Sequence, residues 1–324
     1  MQTRRDFGKL ALAAVPMSAA AKIVSKIHGV EIGVAAYSYS SLPRDGVLDV
    51  IVKSMADFGI ADCLLYAPAT EPVDLANKAR PVRIGGPGAR GGSGAQGRGA
   101  RGPVSPEQAA NIEALRQWHL KVPLDYYTTI RKKFSDAGLT IHTYERSFLG
   151  SVSDEDIEKA CQVTKILGAN CLAEPFTRSV AKRVAAISDK HGIKVAFQGR
   201  PNMNPADPDL MARPSDFEEA LGYSKNFFTS IDTGDATLGG WDVLKFIQDT
   251  HPRIHSLNMK DRTKAGLSVP WGEGDSHIKE ILQLIRDKKY PIRCYIDCDY
   301  ATAEGGSRVA DIKRCLDFAK SALS

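Results

Sequence analysis

The stretch GANCLAEPFTRSVAKRVAAISDKHGIKVAFQ, residues 168–198, decides the fold. An apolar run at 170–174 leads into a helical pattern at 179–191, and a second apolar run follows at 194–198. Runs of five residues are strand length, and the dozen between them is helix length. Gly168 and Gly192 each stand just before a strand, where a left-handed cap ending the preceding helix is least costly. Strand, helix, strand in this order is a βαβ unit, which predicts two neighbouring parallel strands.

The same unit repeats in both directions. Strands are expected at 32–37, 61–66, 140–144, 170–174, 194–198, 227–232, 254–258 and 292–297. Helical patterns fall at 47–58, 124–137, 154–167, 179–191, 241–250, 276–288 and 307–322. Gly59 and Gly138 repeat the helix-ending glycine, while Ser153 (before Asp154-Glu155-Asp156) and Ser276 supply helix N-cap chemistry. Eight strands alternating with crossovers predict a parallel sheet closed into a (β/α)8 TIM barrel over residues 30–324. A doubly wound dinucleotide fold is disfavoured, because Ala35-Ala36-Tyr37-Ser38 follows the first strand where a glycine-rich phosphate loop would be needed.

Outside the barrel pattern lie two segments. Thr3-Arg4-Arg5-Asp6-Phe7 precedes the short apolar run Leu10-Ala11-Leu12-Ala13-Ala14-Val15 and the small residues Ser18-Ala19-Ala20-Ala21. Paired arginines before such a run read as a twin-arginine export signal over residues 1–21, with a periplasmic or extracellular destination. The apolar run is too short to span a bilayer, so no membrane partner is expected once the signal is removed. Residues 84–103, rich in glycine and arginine, are expected to form a flexible insertion after the second strand. No aromatic residues interleave Arg90, Arg98 and Arg101, and the net charge of +5 comes partly from these outlying segments. Nucleic acid is therefore not an expected partner.

The six cysteines are Cys63, Cys161, Cys171, Cys294, Cys298 and Cys315. Cys294 and Cys298, four apart on an extended strand, would be about 13 Å apart and cannot bridge each other. Most lie within apolar patterns and are expected as buried thiols, with room for one disulfide in an exported protein.

In a barrel of this kind the strand C-termini and the loops after them form the active face. Those ends carry Tyr37, Tyr66, Glu145, Glu174, Gln198 with Arg200, Asp232 with Asp235, Asn258 with Lys260 and Asp261, and Asp297 with Asp299. So many polar residues are not needed to close a barrel, and together they suit a small polar ligand. Among the histidines, His142 reads equally as a ligand or a satisfied barrel residue. His255 is expected to face the helices, and His119 and His277 the surface. Trp271 has two open readings, stacking on a sugar or pinning its own loop. Lys260-Asp261-Arg262 reads either as a rim ion pair or as substrate contacts.

Four runs resemble the xylose-isomerase-like TIM barrels, a superfamily of sugar isomerases, sugar epimerases and apurinic endonucleases. Ser230-Ile231-Asp232-Thr233-Gly234-Asp235 is similar to the strand-six Asp-x-Gly-His motif. The run from Arg253 through Asn258, Lys260 and Asp261 to Arg262 resembles the strand-seven His-x-Lys-Asp-Arg run. Pro270-Trp271-Gly272-Glu273-Gly274-Asp275 resembles the Gly-Glu-Gly-Asp loop, and Tyr295-Ile296-Asp297-Cys298-Asp299-Tyr300 the strand-eight Ile-Glu-x-Glu-Tyr ending. Within the superfamily the resemblance is to exported sugar phosphate isomerase/epimerase-like proteins of bacteria.

The resemblance implies a sugar or glycoside as ligand and a divalent metal, with several expected ligands changed. Gln198-Gly199-Arg200 follows strand five where relatives carry His or Glu. Asp235 and Asn258 stand at histidine positions, and Asp297 at a glutamate position. The implied set Gln198, Asp232, Asn258 and Asp297 offers only oxygens, suited to Mg, Mn or Ca if a metal is held at all. Three readings follow. A metal-assisted isomerase or epimerase would work through an enediolate, with Glu174 or Asp297 moving the proton and Lys260 and Arg200 neutralising charge. A metal-free barrel would be a sugar-binding protein or an altered enzyme. A lyase or hydrolase of 3-keto-glycosides would use the same enolate chemistry. Asp235, Asp261, Trp271 and Tyr37 complete the implied substrate contacts.

Overall fold

The computed structural model describes residues 23–80, 105–146, 148–149, 151–199 and 207–324. The expected signal at 1–21, the insertion at 84–103 and Arg200 lie outside the described residues.

The chain enters through a hairpin of β1 (Lys26–Ile27) and β2 (Val30–Ala35). His28 and Gly29 turn it, both at positive φ (46° and 89°), the conformation that suits a two-residue connection between twisted strands. Six strands follow as β3 (Asp62–Tyr66), β4 (Thr140–Glu145), β5 (Cys171–Glu174), β6 (Lys194–Phe197), β7 (Phe227–Asp232) and β8 (Ile254–Met259). A small antiparallel pair, β9 (Asp261–Arg262) and β10 (Ser268–Val269), precedes β11 (Arg293–Ile296). β2 through β8 and β11 pair in chain order, all parallel, and β2 closes the ring by pairing with both β3 and β11. This is the expected eight-stranded barrel, and its strands lie within two residues of the expected bounds.

The surrounding helices are α1 (Val47–Phe58), α2 (Val73–Ala79), α3 (Pro106–Lys121), α4 (Leu124–Asp136), α5 (Asp154–Ile166), α6 (Arg178–His191), α7 (Asp216–Gly222), α8 (Thr233–Leu238), α9 (Val243–Thr250), α10 (Ile278–Lys288) and α11 (Arg308–Leu323). The four helix-ending glycines, Gly59, Gly138, Gly168 and Gly192, all take positive φ as expected. Helix α3 has no counterpart in the expected pattern. Only Leu115 and His119 on it are buried, so it lacks the apolar stripe by which a helix is recognised. His119, expected at the surface, is instead buried with its Nε2 2.9 Å from Glu71 Oε1.

Strand alternation divides the apolar residues into two layers. Ile32, Val34, Cys63, Leu65, Leu172, Val195, Leu257 and Ile296 pack outward under the helices. Ala35, Leu64 and Tyr295, with Cys171, Ala173, Ala196 and Phe228, fill the barrel interior. Tyr295 fits because Gly33 has no side chain: a Cβ there would fall 2.7 Å from the Tyr295 ring and 2.7 Å from the Asp62 carbonyl. The Tyr295 hydroxyl donates to Asp62 Oδ1 at 3.2 Å, and Arg293 Nε donates to Asp62 Oδ2 at 2.9 Å. This polar floor seals the end of the barrel opposite the loops that follow the strands.

His255 lies inside this floor, not among the helices. Its ring meets Phe228 (centroids 6.4 Å apart) and the Ser256 hydroxyl (3.3 Å). The cause is a bulge in β8: Thr229 of β7 pairs with Ile254 but Ser230 with Ser256, which leaves His255 as the extra residue. The extra residue breaks the two-residue alternation on which the outward expectation rested.

Candidate functional site

At the C-terminal mouth of the barrel, Lys260 gathers three carboxylates from two strands. Its Nζ lies 2.8 Å from Asp232 Oδ2, 3.4 Å from Asp297 Oδ2 and 3.5 Å from Asp299 Oδ2. Asp232 ends β7, Lys260 follows β8, and Asp297 and Asp299 follow β11, so closure of the barrel brings them together. The Tyr37 ring, in the turn after β2, stands 5.0 Å from the same ammonium and makes an edge-to-face contact with Tyr66. Lys260 is 3% and Asp297 3% exposed, whereas Tyr37, Tyr66 and Asp232 are half-buried, so the approach is from the Tyr37 and Asp232 side.

Several contacts fix this arrangement. The Thr233 hydroxyl donates to the Lys260 carbonyl at 2.8 Å and accepts the Lys260 N–H at 2.9 Å, clipping α8 to the end of β8. Asp232 Oδ1 accepts the Asp235 N–H at 2.9 Å, so the carboxylate that meets Lys260 also caps α8. Gly234 leaves space for the stems of Lys260 and Arg262, which would lie 3.0 Å from a Cβ there. Arg262, fully buried, places its Nη2 2.9 Å from Asp299 Oδ2 and 3.3 Å from Asp235 Oδ1. Asp235 is thus an ion-pair partner of Arg262 rather than an open substrate contact.

Asp261 and Trp271 also depart from the substrate-binding expectation. Asp261 points into its own loop, where Oδ2 accepts the N–H groups of Gly272 (2.7 Å) and Gly274 (3.1 Å), and Oδ1 that of Ser276 (3.1 Å). Three backbone donors occupy that carboxylate. The Trp271 indole N–H donates to the Met259 carbonyl at 2.9 Å, and its ring packs edge-on against Phe318 of α11. Of its two readings, loop pinning is the one the structure displays.

Gln198 and Glu174 have contacts of their own beside the Lys260 cluster. Gln198 Nε2 donates to Glu145 Oε2 at 3.2 Å. Glu174 follows Ala173, which faces the interior, so alternation turns it away; it is buried, and its Oε1 accepts the Phe148 N–H at 3.3 Å. This contact ties the Glu174 carboxylate to the loop after β4. Asp299 is the residue missing from the expected site set. The strand-eight ending places it at the mouth, but nothing in its spacing tells that it, with Asp232 and Asp297, would face Lys260.

Burial opposes the charge on Lys260, but Asp232, Asp297, Asp299 and Asp235 outweigh it and hold the ammonium well above its ordinary range. The Asp297 pKa is raised as well, which for a carboxyl favours the neutral form. Burial pushes its carboxyl up, Lys260 counteracts, and the fields of Asp232, Asp299 and Glu145 add, for a value of about 7. A carboxyl that exchanges its proton near neutrality beside a fixed cation suits general acid–base chemistry.

The set Gln198, Asp232, Asn258 and Asp297 does not suit a divalent ion in this arrangement. Asp232 and Asp297 already face the Lys260 ammonium, and a dication bonded to Asp232 Oδ2 would stand within about 5 Å of it. The repulsion is of the order of 6 kcal/mol at an effective dielectric of about 20. Gln198 is turned to Glu145. Two buried oxygens remain without hydrogen bonds, Asn258 Oδ1 and Asp297 Oδ1, and both suit donors such as sugar hydroxyls.

No protein-family model matches the chain, and no curated protein matches it in sequence. Solved structures do match its fold. A sugar phosphate isomerase/epimerase from Parabacteroides distasonis ATCC 8503 superposes with a TM-score of 0.55 at 15% identity, over 89% of this chain and 94% of that one. A xylose isomerase domain protein from Alicyclobacillus acidocaldarius gives 0.58 at 10% identity, over 90% and 99%. A D-psicose 3-epimerase from Clostridium cellulolyticum H10, solved with D-tagatose, gives 0.59 at 10% identity, over 90% and 99%. At such identities these likenesses establish the architecture alone, a (β/α)8 barrel.

Proposed function

We propose that this barrel isomerises or epimerises a small sugar by proton transfer, with Lys260 supplying the positive charge and Asp297 moving the proton. The observation that carries the reading is the buried ammonium of Lys260, 3.4 Å from Asp297 and reached from a mouth lined by Tyr37, Tyr66 and Asp232. The fold, shared with proteins whose names are those of sugar isomerases and epimerases, supports the substrate class.

In this reading the sugar's carbonyl oxygen accepts a hydrogen bond from Lys260, and its hydroxyls donate to Asn258 Oδ1 and Asp232. Asp297 removes the proton from the carbon next to the carbonyl. The enediolate oxygen that results is stabilised by the Lys260 ammonium, a fixed charge that needs no reorganisation. Asp297, now protonated, returns the proton. Return to the former carbonyl carbon, with the proton of the neighbouring hydroxyl passing to the former carbonyl oxygen, gives the isomer; return to the original carbon after the enediolate has turned its opposite face to Asp297 gives the epimer. Arg262 keeps Asp299 and Asp235 from turning into the substrate's place.

The test is proton exchange in D2O with D-fructose, D-tagatose, D-allulose and D-xylulose, followed by NMR with a chelator present. Exchange at the carbon next to the carbonyl, lost in Asp297→Asn, is the expected result. No exchange with any ketose, or exchange that requires added Mg or Mn, overturns the reading. Aglycone release from a 3-keto-glycoside would instead support the lyase alternative. We also propose export by the twin-arginine route, on the strength of Arg4-Arg5 and the apolar run behind them. Retention of an Arg4→Lys/Arg5→Lys variant in the cytoplasm, with the wild type in the periplasm, is the expected outcome.

A further inference from the structure

The strand end that carries Asp297 and Asp299 has a cysteine between them. Cys298 is 2% exposed, its N–H donates to the Ser38 hydroxyl at 2.9 Å, and that hydroxyl donates to the Ile296 carbonyl at 3.1 Å. Its Sγ lies 3.5 Å from the Sγ of Cys315, seventeen residues on and 1% exposed in the middle of α11. A bond between them needs the sulfurs only about 1.5 Å closer. The other cysteines are placed differently. Cys171 faces the barrel interior, while Cys63, Cys161 and Cys294 belong to the layer beneath the helices.

We propose that Cys298 and Cys315 form a disulfide under oxidising conditions, joining the strand end that carries Asp297 and Asp299 to α11, with a low-molecular-weight disulfide as oxidant. The pair has its own partners in the core, and the inference stands whether or not the barrel isomerises sugars. The Cys315 thiolate attacks one sulfur of the oxidant and expels one thiolate, leaving a mixed disulfide on Cys315. The Cys298 thiolate then attacks Cys315 Sγ and expels the second. In sum, two protein thiols lose two electrons and two protons, and one small disulfide becomes two thiols. Cys315 is the better first nucleophile, because the hydrogen bond with Cys298, and further contacts from Tyr300 and the Trp271 backbone, lower its pKa despite burial. Since both sulfurs are buried, exchange proceeds while α11 is open, during folding or a local opening of the C-terminal helix.

The full chain is equilibrated in glutathione buffers from fully reduced to largely oxidised, both as the folded protein and by refolding from urea. Samples are then alkylated in denaturant and examined by intact mass and peptide mapping. The expected product is 2 Da lighter before alkylation, takes up four alkyl groups and yields one cross-linked peptide containing Cys298 and Cys315. Its melting temperature rises by roughly 5 °C over the reduced form. A Cys315→Ser variant, folded by circular dichroism, takes up five alkyl groups and shows no such rise. Six alkylated cysteines throughout the oxidising range in both arms, or a cross-link to any other cysteine, overturns the proposal.

Discussion

Asp232 serves Lys260 and α8 with one carboxylate: Oδ2 meets Lys260 Nζ at 2.8 Å while Oδ1 accepts the Asp235 N–H, in the first turn of the helix, at 2.9 Å. The site and the local fold are therefore coupled through a single side chain. Losing the lysine leaves Asp232, Asp297 and Asp299 with buried or half-buried charge and no ammonium between them.

Lys260→Met is accordingly expected to cost about 3–5 kcal/mol at pH 7, the usual penalty for breaking a buried pair from one side. Adding Asp232→Asn should recover part of that loss, because one of the stranded carboxylates is removed. Urea denaturation of the two variants measures both. An unchanged midpoint in Lys260→Met would show that the carboxylates do not depend on this cation.

Asp297 gives the pH dependence. Burial sets its pKa at about 7, so the proton-transfer rate should rise from about pH 6 to about 8 as the carboxylate forms, then level. Asp232→Asn removes a field that raises this pKa and should move the limb to lower pH. Asp297→Asn should lower exchange by roughly 10²- to 10⁴-fold. In the folded chain Asp297 also holds its proton more tightly than in the unfolded one. Its contribution to stability is therefore full below about pH 4 and lost as pH rises through about 7, and Asp297→Asn should abolish that dependence. A rate profile flat from pH 5 to 8 would remove Asp297 from the role.

Much of this was legible in the sequence, and the rest was hidden for specific reasons. Short apolar runs ending in Asp232, Asn258 and before Asp297 locate the mouth, because strand C-termini of a barrel converge. The glycine before each strand marks the helix ends. Yet a strand end supplies two candidate polar residues of opposite facing, and only packing selects between them. Asp261 adjoins Lys260 in sequence and Trp271 lies in the loop that follows, but the loop's backbone N–H groups and the Met259 carbonyl claim them first. His255 was misplaced because a bulge in β8, of which it is the extra residue, leaves no signature in the alternation. Helix α3 begins with the Ser105 cap and Pro106, a readable start signal, but its missing apolar stripe outweighed it.

His255 supplies an independent test of the polar floor. Burial first, then the charges of Arg293 and Lys194 and the nearby His142, lower its pKa to about 3, so it is neutral in the folded chain. The unfolded chain takes up a proton below about pH 6.5, and the stability linked to this group is lost as pH falls from there toward about 3. His255→Gln should make the acid side of the stability curve shallower, by up to about 1.4 kcal/mol per pH unit in that window. The comparison is of urea midpoints for wild type and variant from pH 7 to 4. Parallel curves would place the histidine in contact with water.

Asp261 and Gly274 approach each other from opposite sides of the loop after β8, which yields a matched pair of variants. Asp261→Asn puts an amide N–H2 against backbone donors that now meet carboxylate oxygens, at a cost of about 1–3 kcal/mol. Gly274→Ala places a Cβ on Asp261 Oδ1 and 2.8 Å from the Arg262 carbonyl, so the same seat is broken by volume instead of by charge. Both should lower stability and make the loop between Arg262 and Ser276 newly sensitive to limited proteolysis. The Lys260–Asp232 pair is held separately, by Thr233, and should persist in both. Proton exchange is therefore expected to fall far less than in Asp297→Asn. If Asp261→Asn instead removes exchange as completely as Asp297→Asn while the loop stays resistant to protease, Asp261 touches the substrate and the anchoring role is wrong.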